Sequence, residues 1–283
     1  MISSEIIVKK SASVIWNAST DKEQMKVWYF DIPDFELKPG AVFNFFEPGG
    51  QNQFHHRCTV KKIEPDKLFS HTWTHPGHSQ GESVVTWILE ETDGNTKVII
   101  QHEGLENFAD AGEAFAPENY RIGWNGIIAA LKNYVYGLRK HSYNSVINST
   151  AEKVWNILWD DNAYRKWTSV FSEGSYYSGK LEQGGRIHFL SKGGDGMYAD
   201  VIFCVPNSYM LFQHKGEVKK FEEQPLDDKT DEWSGSFESY SLKAADGKTI
   251  LTAEVDLSPG AIKFFDDTFP KALAKIKVMA EGS

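Results

Sequence analysis

Apolar residues alternate with polar ones along short stretches of this chain, then switch to a three-and-four spacing after residue 119 and again after residue 262. Alternation predicts strands with one buried face, and the longer period predicts an amphipathic helix. Ile6-Ile7-Val8 opens the chain as a short strand. Ser11 or Ser13 caps a helix through Trp16, and Asp21–Trp28 forms a second short helix. Pro33 and Pro39-Gly40 punctuate the chain before a strand at Ala41–Phe46, which Gly49-Gly50 turns back. Strands follow at Phe54–Ile63, Leu68–Thr74, Ser83–Glu90 and Lys97–His102, the last two joined across Asp93-Gly94. From Asn119 to Arg139, Tyr120, Trp124, Ile127, Ile128, Leu131, Val135 and Leu138 form one apolar stripe. The concave side of the sheet is the apolar face that can bury it. A strongly curved sheet cannot lie flat along a whole helix, so a gap between them is the expected pocket.

The same order is written twice. Ser11–Asn17 matches Thr150–Asn156 at an offset of 139, and Trp28 matches Trp167 at the same offset. Leu37–Phe45 matches Leu181–Phe189 at 144, which implies five extra residues around Glu173–Gly179. Glu64-Pro65 matches Val205-Pro206, and Asp93-Gly94 matches Asp246-Gly247 at 153, the drift falling in an acidic loop-like stretch, Gln224–Asp231. Two copies are too few for a solenoid and predict two domains, residues 1–140 and 141–283. The second terminal helix, about Ile262–Met279, carries Pro270 inside its pattern, which predicts a kink or a late start. The junction near Lys140–Ser145 is short and lacks a Gly/Pro-rich linker. The two domains are therefore expected to pack as an intramolecular pseudo-dimer.

Composition narrows the partners. The net charge of −9 is spread evenly, with 14 basic and 18 acidic residues up to residue 140. No basic run exists, so neither nucleic acid nor a membrane surface is an expected partner. Cys58 and Cys204 fall in different halves and read as free buried thiols. The start, MISSEIIVKK, lacks an apolar signal core, and no stretch of 18 apolar residues occurs, so a reducing cytoplasm is the expected compartment.

Several motifs together resemble the helix-grip, START-like (SRPBCC, Bet v allergen-like) superfamily, and within it domains similar to the activator of heat-shock protein 90 ATPase. They are Val14-Ile15-Trp16, Trp28, Lys38-Pro39-Gly40, Glu64–Leu68, Val84–Leu89, Thr96–Gly104 ending His102-Glu103-Gly104, and Gly123-Trp124. The second copy keeps Val154-Trp155, Trp167, Gly184-Gly185 and Asp246-Gly247, but has neither Gly-Trp at its last helix nor His-Glu-Gly. The resemblance implies an α+β fold, a curved antiparallel sheet around a long C-terminal helix with two short helices after the first strand, and a cavity between sheet and helix. It does not name a task, because that fold serves carriers, cyclases and chaperone activators.

Strand parity and the family pattern select the inward residues. Trp28, Phe45, His71, Trp73, Val85, Trp87, Val98, Ile100 and His102, with Trp124 and Ile128 on the helix, are the expected ligand-binding set of the first domain. Trp167, Phe189 and Tyr240 are their counterparts in the second. His102 is the sharpest of them, since an imidazole among apolar side chains can orient a polar ligand tip, or can be a core histidine tied to its surroundings. The offset of 153 places Val255 opposite His102 and Tyr240 opposite Trp87, so the second pocket is expected to lack that polar tip. His55-His56 and His75-Pro-Gly-His78 do not make a metal site, because adjacent strand residues point to opposite faces and no ligand spacing joins them. Glu103 and Glu106 read as solvated loop carboxylates. No catalytic residue, metal or cofactor is assigned. The leading expectation is binding of a small hydrophobic or aromatic molecule, mainly in the first domain. The alternatives are chaperone contact through an exposed face, or a cyclase- or hydrolase-type enzyme using His102. The eukaryotic activators join this domain to a different N-terminal domain that is not seen here, which weakens the chaperone alternative.

Overall fold

The computed structural model describes residues 1–47 and 54–282, so the expected Gly49-Gly50 turn lies outside the described residues. The chain divides into two compact units, Met1–Val135 and Tyr136–Ser283. The first runs β1 (Ile2–Val8), α1 (Ala12–Thr20), α2 (Lys22–Trp28), β2 (Val42–Phe46), β3 (His55–Glu64), β4 (Leu68–Trp73), β5 (Ser83–Thr92) and β6 (Asn95–Glu103). Two single 3-10 turns and α3 (Pro117–Val135) follow. Its strands pair antiparallel in the order β1-β6-β5-β4-β3-β2.

The alternation read from the sequence is the burial pattern of the sheet. On β5, Ser83, Val85, Trp87 and Leu89 are buried, and the residues between them are only half-buried. On β6 the buried set is Thr96, Val98, Ile100 and His102, with Ile99 from the other face. The helix α3 closes on this inner face through Trp124, Ile128 and Leu131, each worth about 1.5–3 kcal/mol when fully buried. It ends at Val135, so Leu138 does not belong to the helical stripe; it is buried beyond Gly137, which adopts a left-handed φ of 85°.

The second unit repeats the order: β7 (Arg139–Ile147), α4 (Ala151–Trp159), α5 (Asp161–Thr168), β8 (Tyr176–Gly179), β9 (Arg186–Leu190), β10 (Gly196–Val205), β11 (Tyr209–Lys219), β12 (Glu222–Glu223), α6 (Asp228–Trp233), β13 (Phe237–Ala245), β14 (Lys248–Leu257) and α7 (Pro259–Glu281). Its sheet runs β7-β14-β13-β11-β10-β9-β8, with β12 pairing to β11. The division between the units falls ahead of residue 140 because Arg139 and Lys140 already belong to β7.

Three local expectations change. The extra residues around Glu173–Gly179 build β8, an additional strand beside β9. The acidic stretch Gln224–Asp231 is not simply a loop: Asp227 caps α6 by accepting from the Thr230 amide at 2.8 Å. And α7 does not start late. It begins with Pro259 in its first turn and continues through Pro270.

Matched positions carry matched interactions. Thr96 Oγ1 donates to the Lys10 carbonyl at 2.7 Å, and Thr249 Oγ1 donates to the Ser149 carbonyl at 2.7 Å. Trp28 Nε1 donates to Ala18 O at 2.9 Å, and Trp167 Nε1 to Leu158 O at 3.2 Å. The hairpin turns share one conformation, Asp93 and Gly94 at φ 51° and 74°, Asp246 and Gly247 at 49° and 76°. Positive φ at both central residues matches the twist of the strands they join, which is why Asp-Gly stands there twice. The chain is thus a tandem of α+β helix-grip domains.

Candidate functional site

The inner face of the first domain is filled with rings, and its chemistry is decided by which ring nitrogens are already used. Trp124 Nε1 donates to His102 Nδ1 at 3.0 Å. An indole N–H can only donate, so Nδ1 accepts and the His102 proton sits on Nε2. That N–H points to Ser83 Oγ at 2.7 Å, and Ser83 Oγ passes its own proton to the Trp73 carbonyl at 3.2 Å. Both His102 nitrogens are therefore consumed by the fold. Burial, then the nearby His71 and His75, push its pKa down to about 3, so it stays neutral. Gly104, at φ 82°, turns the chain after it into the first 3-10 turn, Leu105–Phe108. His71 donates through Nδ1 to the Thr72 carbonyl at 2.9 Å, and burial lowers its pKa to about 4.

A second pair of histidines stands differently. His75 continues the inward parity of Phe69, His71 and Trp73 one step beyond β4, held by the turn His75-Pro76-Gly77-His78, where Gly77 has φ 87° and the His78 amide returns to His75 O at 3.0 Å. His75 Nε2 lies 3.2 Å from Trp73 Nε1 and 2.6 Å from the Tyr120 hydroxyl. The indole can only donate, so Nε2 accepts, the tyrosine donates to it, and the proton resides on Nδ1. That buried N–H has no partner among the described residues. His56, on β3, is also buried, and neither of its ring nitrogens has a hydrogen-bond partner among them. Glu47 Oε1 lies 3.7 Å from His56 Nε2, too far for a hydrogen bond. The two imidazoles meet edge to face with centroids 4.9 Å apart, and Phe45 stacks behind His56 at 4.7 Å. Burial lowers both pKa values, for His75 to about 3, with His56 and His78 adding to the shift; the Glu47 carboxylate partly opposes it at His56.

These residues line a cavity of about 130 Å³. One wall is the sheet, with His56, Trp73 and His75. The facing wall is the first two turns of α3 and the turn beyond, with Tyr120, Trp124 and Ile127 on one helical face. The second 3-10 turn, Glu113–Phe115, contributes Ala114 and Phe115, and Phe30, Phe54 and Glu47 complete the rim. Glu47 is the charged residue among the described lining; no Lys or Arg is part of it. Among the described residues no group of three or more metal-ligating side chains could hold a metal ion.

Residues 9–136, which hold this cavity, match the family Activator of Hsp90 ATPase homolog 1-like protein. The match spans almost all of the first domain. No curated protein matches the chain. Among solved structures, the chain is similar over 99% of its length to DynU16, a protein of the dynemicin biosynthetic locus, covering 98% of that chain at 14% identity with a TM-score of 0.40. It is similar to the di-domain ARO/CYC StfQ of the steffimycin biosynthetic pathway, with 99% and 98% covered, 11% identity and a TM-score of 0.39. Half of the chain, 50%, is similar to 96% of the Aha1 dimer structure from Colwellia psychrerythraea, at 20% identity and a TM-score of 0.40.

Within this Activator-of-Hsp90-ATPase-like domain, two of the expected residues, Trp73 and Trp124, line the cavity. The others pack around it. Trp28 and Trp124 meet Trp87 edge-on at 6.4 and 6.3 Å, Phe45 abuts Trp73, and His71 sits between Phe43 and Trp73. Val85, Val98, Ile100 and Ile128 are buried in the core, and His102 lies in it as described. In the second domain Trp167 and Tyr240 are buried with ring centroids 6.2 Å apart, and Phe189 packs on Phe212. His56 and His75, weighed in the sequence only as metal ligands, and Tyr120, placed there only in the helical stripe, also line the cavity. His75 had a legible signal, the unbroken i, i+2 parity from Phe69. His56 does face opposite to its neighbour His55, which pairs with Asn44. Its approach to His75 depends on the bridge Arg57–Thr74, a non-local pairing.

The second domain also holds polar groups that the offset comparison did not reveal. Glu238, at the position of Val85, accepts from Tyr240 OH at 2.5 Å and lies 3.0 Å from His214 Nε2. Gly216 stands where His75 stands in the first domain, and a side chain there would collide with Tyr198. The segment corresponding to Leu105–Phe115 is missing, for α7 starts directly after Ser258. Cys58 is buried and free, and Cys204 is free but only partly buried. Among the described residues no helix is long and apolar enough to cross a membrane.

Proposed function

We propose that the first domain binds a small apolar or aromatic molecule in the cavity between its sheet and α3. The observation that carries this reading is a cavity between the sheet and α3 lined mostly by aromatic rings. Aromatic walls with a few convergent polar groups are the usual form of a small-molecule site. His102 does not supply the polar tip, because both its nitrogens are engaged. That engagement also removes the base on which a cyclase- or hydrolase-type reading was built.

Trp73 and Trp124 report on occupancy. Titrating the full chain with non-absorbing single-ring and small alicyclic molecules should shift its tryptophan emission. Ile127→Trp, which fills the helix side of the cavity, should abolish the shift while the chain stays folded by circular dichroism. An unchanged response in Ile127→Trp would place binding elsewhere and defeat the proposal.

A further inference from the structure

The open side of the same cavity lies over one bare position of α3. Resting on the binding reading above, we infer that Gly123 sets which molecules the site admits. With no side chain there, an occupant longer than the enclosed part of the cavity extends out past α3, and a side chain at that position excludes it.

The lining divides into a floor and a mouth. Trp73 and Trp124 are buried, whereas Glu47, Ala114, Asn119 and Gly123 line the same cavity and are exposed. Asn119 and Ile127, one turn to either side of Gly123, both belong to the lining, so a Cβ at position 123 would project into the mouth between them. Nothing in the fold requires glycine there. Gly123 keeps ordinary helical backbone inside α3, and an added Cβ would meet no atom within 4 Å. Only proline is a poorer helix former, so the position gives up helix stability. The second domain carries a side chain at the matching position. Its α7 buries Phe269, Leu273 and Ile276 as α3 buries Trp124, Ile128 and Leu131, an offset of 145 that sets Thr268 against Gly123. Thr268 is buried, and its hydroxyl donates to the Phe264 carbonyl at 2.7 Å. Gly126 supplies a control on α3 itself. Its surroundings are equally open, and the described residues that line the cavity do not include it.

Two neutral probes separate the floor from the mouth in the full chain. Toluene is small enough to rest on the floor, whereas N-phenyl-1-naphthylamine, which brightens on leaving water, must protrude. Gly123→Ala and Gly126→Ala should each raise the thermal midpoint by about 2–5 °C, because alanine is the better helix former. Gly123→Ala should weaken N-phenyl-1-naphthylamine about threefold and Gly123→Leu about tenfold, the cost of overpacking an occupied site. Toluene, read by calorimetry, should keep its affinity in Gly123→Ala, and Gly126→Ala should leave both probes unchanged. Stability gained with binding lost at one glycine, and gained without loss at the other, is the expected signature. Undiminished N-phenyl-1-naphthylamine binding in Gly123→Leu, or an equal loss in Gly126→Ala, would overturn the role of Gly123 and leave the cavity reading standing. An equal loss of toluene in Gly123→Ala would overturn the division into floor and mouth. Probe binding that survives Ile127→Trp would defeat the cavity reading itself, and binding of neither probe to the unaltered chain would overturn both.

Discussion

The first domain buries four histidines among its described residues, His56, His71, His75 and His102, where the second buries His214. Yet the two share the hairpin turn, the threonine bond back to the first strand and the tryptophan bond across the paired short helices. What is shared lies in turns and strand ends that define the fold. What differs lies where β4 ends and α3 begins, at His75 against Gly216 and at a thirteen-residue connection, 104–116, against the single residue Ser258. The difference teaches that the cavity of the first domain is walled by the connection into its last helix and by the residue just beyond one strand, both of which the second domain replaces.

Acid should separate them most. His71, His75 and His102 have native pKa values of about 4, 3 and 3, against about 6.5 in an unfolded chain. Between these values the unfolded state binds more protons. Stability from these groups is therefore complete above pH 6.5 and falls as pH drops toward 4, by about 1.4 kcal/mol per pH unit for each histidine once below 6.5. Amide exchange of the full chain, corrected for intrinsic rates, should show first-domain peptides losing protection between pH 6 and 4.5 before those of the second. Loss in the second domain first would break the comparison.

A reciprocal exchange sharpens it. His102→Val gives the first domain the residue its copy carries at Val255, and strands Trp124 Nε1–H and Ser83 Oγ in the core. A cost of about 3 kcal/mol is expected in urea unfolding. Val255→His inserts an imidazole where no such partners are matched, and should cost a similar amount in the second domain's transition. A neutral His102→Val would mean that the chain from Trp124 to Ser83 is not structural.

The smallest effect tests the shared framework. Thr96→Val and Thr249→Val each remove one hydrogen bond of 2.7 Å to the end of the first strand and should each cost about 1 kcal/mol. A twofold or larger inequality, read from the two transitions, would show that the repeat has diverged in its framework as well as in its pocket.

Alternation along β5 and β6, the helical stripe from Tyr120 to Leu131, and the Asp-Gly turns are local patterns, and each was legible in the sequence because backbone geometry ties them to residues a few positions apart. The internal repeat was legible for the same reason, since it compares one local pattern with another. Parity sorted each strand into two rows, the family pattern chose the inner one, and the helical stripe supplied Trp124, which is why Trp73, Trp87 and Trp124 were expected on the inner face.

What tertiary structure decided was which inward groups are spent. His102 could be read in the sequence as a polar tip or as a tied core histidine, and it is consumed by Trp124 and Ser83. His56 and His75 looked like unrelated loop and strand histidines and meet across a cavity. No local rule distinguishes the two cases, because an imidazole is free or engaged according to partners brought within 3 Å by strand register and helix docking. The sequence alone determined two helix-grip domains of one design. Only the tertiary structure determined where, in the first of them, hydrogen-bonding capacity is left over.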